Sequence, residues 1–289
     1  MSHKRIHVII NPAAGVDEPI VNTLNDVFQQ YDVDWDVALT HESGDAARLA
    51  REAVAAGVDV VAAYGGDGTI MEVANVLAGG KIPLGLLPGG TGNGLAKELN
   101  LPLDLAEATA VICQSTRVQG VDLALVNGRY STLHTYIGLD ESQQAPRESK
   151  DRLGILAYLA TILKIIREPR VARYHITIDG VEREAEGIMC LITNAIGLGL
   201  QWTPTAHIRP DDGLLDVLIF KKDVLSIAGD LLEELREPGH LFQAGQGREI
   251  TVRTDSPQPV RVDGELIGDT PVTAIVAPQA LPILVPMPS

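Results

Sequence analysis

The residues best suited to chemistry form two glycine-rich turns, separated by one predicted helix and one predicted strand. The first turn is Gly65-Gly66-Asp67-Gly68-Thr69, and the second is Pro88-Gly89-Gly90-Thr91-Gly92-Asn93. Glycine permits positive φ and a close approach of the backbone, so such turns can wrap N–H groups around a polyphosphate. The first turn also carries a carboxylate where a phosphoryl group would move. Together the turns indicate a nucleotide-dependent phosphotransferase.

Asp67 is the principal candidate for the catalytic residue. An alcohol is a poor nucleophile, so a carboxylate that accepts its proton would help the reaction. Asp67 could instead act through Mg²⁺, which prefers oxygen ligands, or only cap the helix that follows. Thr69 adds a hydroxyl at the predicted N-terminus of that helix, where the helix dipole favours anions.

Composition and charge narrow the class of protein. The chain has 289 residues, of which 45% are apolar, and this is typical of a globular protein with one large domain or two ordinary ones. The net charge of −15 disfavours nucleic acid, which we do not expect as a partner. Cys113 and Cys190 lack metal-site spacing and argue against a disulfide framework. No apolar leader precedes the first predicted strand, so we expect a cytoplasmic protein.

One stretch departs from the acidic character of the chain. Seven basic and three acidic residues lie between Arg147 and Arg173, and residues 153–163 within it are apolar on every helical face. This segment is too short to span a bilayer. A buried helix with a basic solvated end fits the pattern, and so does a helix that contacts a lipid or a membrane surface. We expect only transient, salt-sensitive contact with a membrane, because the chain as a whole repels anionic lipids.

The first 120 residues alternate predicted strands with predicted helices. The strands are residues 6–10, 33–39, 58–63 and 83–87, and the helices are residues 19–31, 45–56, 70–78 and 103–113. Strands separated by single helices predict a mostly parallel sheet covered on both faces, with ligands beyond the carboxyl ends of the strands. Both glycine-rich turns, Asn11 and Thr40 follow strand ends, so all four should meet at one edge.

From about residue 118 onwards, alternating strands dominate the pattern. They are residues 121–126, 129–137, 171–179, 185–194, 214–220, 249–254 and 259–262, with helices near 153–166 and 223–236 and a loop over 238–248. Asn127-Gly128 and Asp179-Gly180 are hairpin signals. The predicted fold class is α/β with two lobes: residues 1–120 form an α/β nucleotide-binding domain, and residues 121–271 form an antiparallel β-rich domain. Residues 272–289 are expected to return to the first domain.

Ordered motifs along the chain resemble those of the diacylglycerol-kinase catalytic-domain family, which includes bacterial lipid kinases and the sphingosine kinases. They are Asn11-Pro12-Ala13-Ala14-Gly15, the GGDGT turn with Glu72 after it, the second turn followed by Leu95-Ala96-Lys97-Glu98-Leu99, Val121-Asp122, Arg152-Leu153-Gly154, residues 210–216 and Val262-Asp263-Gly264-Glu265. GGDGT alone also occurs in NAD kinases, but the ordered set is far more specific. The resemblance runs from Lys4 to Pro286.

The resemblance implies a two-lobed kinase that uses ATP and Mg²⁺ and phosphorylates a hydroxyl of a lipid such as diacylglycerol. It implies that Glu265 reaches the same cleft as Asp67 and shares the base role or holds metal-bound waters. Asp122, Asp211 and Asp212 would gather around a second Mg²⁺, because carboxylates this close repel one another without a cation. The residues expected to bind the nucleotide are Asn11, Thr40, Gly65, Gly66, Gly68, Thr69, Gly89, Gly90, Thr91, Gly92 and Asn93.

Simpler interpretations exist for some of these residues, and the chain departs from the family pattern twice. Asp263-Gly264 is a hairpin signal in its own right, and acidic loop residues can be merely solvated. Asn93 is followed by glycine rather than by an acidic residue. Gly15 is not followed by the lysine that often helps to hold ATP in members of the family. Three functions therefore stay open: a lipid kinase, a kinase of a soluble acceptor similar to NAD kinase, and a non-catalytic protein that binds nucleotide or lipid. A homodimer through edge strands is compatible with the sequence.

Overall fold

The computed structural model describes residues 4–15, 19–138, 170–194, 208–220 and 243–287. The helices predicted near 153–166 and 223–236 lie outside these residues, as does most of the basic stretch. The described residues form two compact units. The first runs as far as Leu123 and resumes at Pro278, and the second runs from Ala124 to Ala277.

The first unit is built around a parallel sheet. Its elements are β1 (Lys4–Ile10), α1 (Ile20–Phe28), β2 (Val33–Leu39), α2 (Asp45–Ala56), β3 (Val60–Gly65), α3 (Asp67–Leu77), β4 (Leu84–Pro88), α4 (Gly94–Glu98) and α5 (Leu105–Gln114). The strands pair in parallel in the order β2-β1-β3-β4. The predicted parallel sheet is confirmed. Because the chain passes from β1 to β2 and then returns to the other side of β1, the carboxyl ends of β1 and β3 form the switch point where such sheets bind ligands.

Helices cover both faces of this sheet. On one face, Phe28 of α1 and Ile112 of α5 pack with Ile6 and Tyr64 of the strands. On the other face, α2 and α3 pack together and contact β1 and β3. Every residue of β3 is buried, which explains why this strand is a continuous run of apolar residues up to its glycine.

The second unit is an antiparallel β-sandwich. Its elements are β6 (Arg129–Ser131), β7 (His134–Ile137), β8 (Ala172–Ile178), β9 (Val181–Gly187), β10 (Met189–Thr193), β11 (Leu215–Phe220), β12 (Gln243–Gly247), β13 (Glu249–Thr254), β14 (Pro259–Val262) and β15 (Glu265–Asp269). Two further strands, β5 (Val118–Val126) and β16 (Val272–Leu284), are divided between the units. The end of β5, from Ala124, and the first part of β16, as far as Ala277, belong to the second unit. One sheet pairs β9, β8, β13 and β16, and the other has the order β12-β11-β10-β7-β14-β15. Ile176 and Val252 of the first sheet share a core with Ile192 and Val262 of the second.

The two predicted hairpins are confirmed, but several predicted boundaries are wrong. Asn127-Gly128 joins β5 to β6 and Asp179-Gly180 joins β8 to β9, with positive φ at all four residues as type I′ turns require. The strand predicted over 129–137 is two strands, and so is the one predicted over 185–194. Residues 243–247, predicted as a loop, form β12. Pairing with β11 outweighs the weak strand propensity of this segment, which is rich in Gly and Gln.

Candidate functional site

Strand β3 leads directly into the first glycine-rich turn, and α3 begins inside that turn. The helix was predicted to begin at Ile70, but its first residue is Asp67, preceded by Gly66 in an extended conformation. Asp67 and Thr69 therefore lie in the first turn of α3. The N–H groups there have no partner within the helix, and the helix dipole is positive, so this end of α3 suits an anion.

The two glycine-rich turns contact each other through their backbones. The N–H of Gly89 donates to the carbonyl oxygen of Gly65 over 3.0 Å. A Cβ atom on Gly90 would lie only 2.5 Å from the Cα atom of Gly66. None of the six glycines in the two turns has positive φ. Glycine is required at these turns by their close approach.

The Asp67 side chain is half-buried between the two turns. Its Oδ1 atom accepts a hydrogen bond of 2.8 Å from the N–H of Gly94, the first residue of α4. A Cβ atom on Gly92 would lie 2.5 Å from its Oδ2 atom. The carboxylate thus satisfies an N–H group of α4, whereas the alternative read from the sequence was a cap on α3. Asp67 is fixed in place by the second turn.

Asn11 connects the end of β1 to the first turn. Its Nδ2 group donates to the Thr69 Oγ1 atom over 3.0 Å, and its Oδ1 atom accepts from the N–H of Ala13 over 3.0 Å. Its own N–H donates to the carbonyl oxygen of Tyr64 over 2.9 Å. The structure therefore brings Asn11 to the first glycine-rich turn, and this fits the prediction that the motifs after strand ends lie at one edge of the sheet.

Asn93 closes the second turn with its side chain. Its Nδ2 group donates to the Gly90 carbonyl over 2.7 Å, and its Oδ1 atom accepts from the Gly90 N–H over 2.9 Å. Both ends of the amide are thereby used within the turn. Thr91 and Gly92 are exposed, and a Cβ atom on Gly68 would meet nothing within 4 Å. These three residues leave an open surface on the paired turns that could receive a phosphate group.

Tyr64, near the end of β3, was missed by the sequence reasoning. Its side chain is fully buried, and its ring lies directly beneath the second turn, where a Cβ atom on Gly89 would be 2.6 Å from the ring Cζ atom. Its hydroxyl lies under Gly15, in the loop that follows β1, where a Cβ atom on Gly15 would clash with it. In the sequence Tyr64 reads as one more core residue of an apolar strand. Only the fold shows that it supports two loops at once.

Thr40 lies at the same edge of the sheet, and Glu72 ties its loop to α3. Thr40 is buried after β2, and its N–H donates to the Ile10 carbonyl over 2.9 Å. The Glu72 carboxylate of α3 accepts from the N–H groups of Gly44, over 3.0 Å, and Ala47, over 3.3 Å. The helix that carries Asp67 thus also holds the loop that follows Thr40. The motif spacing pointed to Glu72 but not to this contact.

Asp45 holds the same loop in a second way. Its carboxylate accepts from the N–H groups of His41, over 2.8 Å, and Glu42, over 3.2 Å, and pairs with Arg48 over 2.8 Å. The hydrogen bond from His41, followed by the one from Arg48, lowers the pKa of Asp45 to about 2. The carboxylate is therefore ionised at neutral pH and keeps these partners.

The predicted second metal site gains no support from the described residues. Asp122 is buried in the first unit, and its Oδ1 atom accepts from the N–H of Gln279 over 2.7 Å. In the second unit, Asp211 pairs with Arg209 over 3.2 Å, and Asp212 accepts a backbone hydrogen bond within its own turn. Within the described ranges, no group of three or more His, Cys, Asp or Glu side chains is placed to hold a metal ion. This ligand set stays a prediction.

Glu265 lies in the second unit, at the start of β15. Asp263 and Gly264, with φ of 47° and 94°, form a two-residue turn between β14 and β15. The DG dipeptide is therefore a hairpin turn, as the simpler interpretation held. Glu265 is partly exposed and pairs with Arg129 of β6, with 2.5 Å between their charged atoms. The turn therefore sets the position of the Glu265 backbone, from which this carboxylate extends.

Comparison with known families identifies both parts of the chain. Residues 5–126 match the diacylglycerol kinase catalytic domain, and residues 134–285 match a domain described as YegS C-terminal NAD kinase beta sandwich-like. The chain belongs to the diacylglycerol kinase catalytic-domain family. The resemblance predicted from the ordered motifs is confirmed, and so is the fold class of an α/β domain followed by an antiparallel β-rich domain.

Relatives of this diacylglycerol-kinase-family protein match most of the chain. A Staphylococcus haemolyticus protein named "Putative lipid kinase SH2167" is 30% identical over an alignment of 261 residues, and the match covers 86% of this chain and 84% of the relative. A crystal structure of a diacylglycerol kinase from Bacillus anthracis has a TM-score of 0.79 and 28% identity, and the match covers 99% of this chain and 98% of that one. Within the described ranges, no helix has the length and hydropathy needed to cross a membrane.

Proposed function

We propose that this protein is an ATP-dependent lipid kinase, which transfers the γ-phosphoryl group of ATP to a hydroxyl of diacylglycerol or a related lipid. The observation that carries the proposal is the position of Asp67, at the N-terminus of α3 and between two glycine-rich turns that touch each other. Phosphoryl transfer depends mainly on positioning and on charge stabilisation around the phosphate. A helix N-terminus beside a fixed carboxylate offers both.

The residues around Asp67 fit a bound polyphosphate. ATP, when bound, would supply the transferable phosphoryl group. The N–H groups at the start of α3 would donate to its oxygens, and Gly68 leaves room for them to approach. Asn11 would hold the Thr69 hydroxyl in place through their mutual hydrogen bond. Thr40, whose loop Glu72 ties to α3, would contact the base of the nucleotide.

Asp67 would take the proton of the acceptor hydroxyl as a general base, or would bind Mg²⁺. A single carboxylate together with phosphate oxygens and waters is enough to hold Mg²⁺. Asp67 therefore fits this ion without the set formed by Asp122, Asp211 and Asp212. Glu265 would share the base role or hold waters of the ion.

A lipid acceptor and a membrane surface are the proposed partners. The names of the Staphylococcus relative and of the Bacillus structure support a lipid substrate. We propose a cytoplasmic protein that contacts the membrane transiently through the basic stretch. Of that stretch the structure describes only the end, where Arg173 pairs with Glu186 over 3.0 Å. Stable, salt-independent sedimentation with anionic liposomes would contradict transient contact.

The proposal is tested by measuring ADP release from Mg·ATP in the presence of different acceptors. Diacylglycerol, sphingosine, ceramide and phosphatidylglycerol are dispersed in detergent, and NAD is assayed alongside. Asp67→Asn is the control, because it keeps the size of the side chain and removes its charge. Turnover that requires a lipid and falls by a factor of about 100 or more in Asp67→Asn would support the proposal.

Two other results would replace the proposal. Turnover with NAD alone would indicate a kinase of a soluble acceptor. Binding of ATP without turnover on any acceptor would indicate a non-catalytic protein that binds nucleotide. Isothermal titration with Mg·ATP, performed on the same preparation, separates this last case from a protein that does not bind nucleotide at all.

A further inference from the structure

The carboxylate of Glu265 forms an ion pair with Arg129, a residue to which the proposed chemistry assigns no role. The Arg129 guanidinium lies 2.5 Å from Glu265 Oε2, and both side chains are 40% exposed. Glu265 is the first residue of β15, and Arg129 is the first residue of β6. The two residues are 136 positions apart in sequence, so the contact is made by the fold.

The turn that presents Glu265 is held rigidly on its other side by Asp263. The Asp263 carboxylate accepts hydrogen bonds from the N–H groups of Thr132, Leu133 and His134, over 2.7, 3.0 and 2.9 Å. It also accepts from the hydroxyls of Ser131 and Thr132, and the Asp263 N–H donates to the His134 carbonyl over 2.8 Å. The segment that immediately follows β6 is therefore the platform on which the Asp263-Gly264 turn rests.

Arg129 is anchored at its own end as well. It follows the two-residue turn Asn127-Gly128. In that turn the Asn127 Oδ1 atom accepts from the N–H of Thr273 over 3.1 Å, and the Asn127 N–H donates to the Thr273 carbonyl over 3.1 Å. A guanidinium on a fixed strand can orient a carboxylate through directional N–H donors.

We infer that Arg129 is a positioning residue for Glu265, which it orients for reaction through their ion pair. The inference rests on the proposed function, in which Glu265 serves the transfer of the phosphoryl group. Asp263 fixes the backbone of the turn, and Arg129 fixes the direction of the carboxylate at its end. Loss of Arg129 would leave the hairpin intact and release the carboxylate into other rotamers, and a displacement of about 1 Å at a reacting group can cost a factor of about 100 in rate.

The ion pair between Arg173 and Glu186 is a matched control. It also joins two strands of the second unit, over 3.0 Å, but its side chains are 51% and 63% exposed. Glu186 lies outside the basic stretch and outside the proposed site. Exposed pairs of this kind contribute little to stability. Glu186→Gln should therefore leave both turnover and the melting temperature as they are.

The experiment is a double-mutant cycle on the full chain, with Arg129→Gln, Glu265→Gln and the double variant, and with Arg129→Lys as the conservative variant. Turnover is measured with Mg·ATP and the lipid that gives the highest rate. We expect Arg129→Gln to lower kcat by a factor of about 10 to 100, with KM for ATP changed by less than about twofold. Arg129→Lys should recover part of the loss, because it keeps the charge but loses the fork of donors.

The cycle distinguishes failure of the inference from failure of the proposed function. Arg129→Gln should have less than about a twofold further effect in the Glu265→Gln background, because its target is already gone. An equal loss in both backgrounds would overturn the inference and leave the kinase proposal standing. A rise in kcat for Arg129→Gln would also overturn it, because the pair would then hold Glu265 away from reaction. If Glu265→Gln turns over as fast as the wild type, the inference fails, while loss of turnover in Asp67→Asn would still support the kinase.

Discussion

The two candidate carboxylates are held by opposite means. In the first unit, Asp67 is placed by the backbones of the two glycine-rich turns. These turns approach each other so closely that a Cβ atom on Gly90 would clash with Gly66. In the second unit, Glu265 is placed by side chains, since Asp263 binds the turn to its neighbouring segment and Arg129 meets the carboxylate. The first arrangement depends on the absence of side-chain atoms, and the second on their presence.

The two arrangements should be sensitive to different substitutions. Contacts between backbones cannot yield by rotating a side chain, so an added methyl group must move a whole turn. A network of hydrogen bonds can lose one bond and keep the others, so each lost bond removes only part of the stabilisation. The glycine-rich turns should therefore respond to added volume, and the hairpin should respond to lost acceptors.

The largest effect is expected where a single side chain supports the glycine-rich turns from below. Tyr64→Ala removes a fully buried ring beneath Gly89 and should lower the free energy of unfolding by about 4 kcal/mol. Tyr64→Phe keeps the ring and should cost less than about 1.5 kcal/mol. Urea unfolding of both variants checks this. Equal costs for the two would show that the hydroxyl, and not the ring, supports the turns.

A smaller loss in the free energy of unfolding is expected for a substitution in the Asp263-Gly264 hairpin. Asp263→Asn keeps the turn, because Asn also tolerates positive φ, but its amide group cannot accept from both sets of donors. The N–H of the buried Thr132 would lose its acceptor, and we expect a cost of about 3 kcal/mol by urea unfolding.

Asp179→Asn is the matched control for the hairpin. Asp179 occupies the same position in another two-residue turn, and its carboxylate accepts from the N–H groups of Arg248 and Glu249, at an exposed site. Its loss should cost about 1 kcal/mol. If the two substitutions lower the free energy of unfolding equally, the number of hydrogen bonds does not decide the stability of these turns.

The next prediction concerns the loss of stability caused by an added methyl group in the glycine-rich turns. Gly90→Ala places a Cβ atom 2.5 Å from the Cα atom of Gly66, so we expect a loss of about 2 kcal/mol and a large drop in lipid-dependent turnover. Gly68→Ala meets nothing within 4 Å and should leave the free energy of unfolding unchanged or raise it by up to about 1 kcal/mol. Thermal unfolding of the two variants side by side tests this. A wild-type melting temperature for Gly90→Ala would contradict the close approach.

The smallest effect concerns the loop that follows Thr40. The pKa of Asp45 is lowered from 3.8 to about 2, chiefly by the N–H of His41 and by Arg48. A lowered pKa stabilises the fold above the unfolded value, and this contribution is lost as the pH falls through the folded value. The difference in melting temperature between wild type and Asp45→Asn should therefore be constant above about pH 5 and shrink towards pH 2. A difference that grows on acidification would contradict this assignment.

Local patterns in the sequence were sufficient to predict the main secondary structure elements and the family of this protein. Continuous apolar strands separated by helices predicted the parallel sheet, because strands covered on both faces need apolar residues throughout. Asn127-Gly128 and Asp179-Gly180 predicted hairpins, because few residues adopt positive φ at two successive positions. The ordered motifs predicted the family, and the strand ends predicted that Asn11 and the first glycine-rich turn would lie at one edge of the sheet. Each of these signals lies within a few residues of the feature that it predicts.

Contacts between distant segments were decided only by the tertiary structure. Tyr64 under two loops, Asp67 bonded to Gly94, and Arg129 paired with Glu265 join residues from separate elements, and no local pattern distinguishes these side chains from ordinary core or surface residues. The same holds for β12, whose weak propensity was outweighed by pairing with β11. Hydrophobic periodicity determines which elements form and which face is buried, because it acts along a single element. The direction of a functional side chain depends on what packs against it from elsewhere in the chain, and only the folded molecule contains that information.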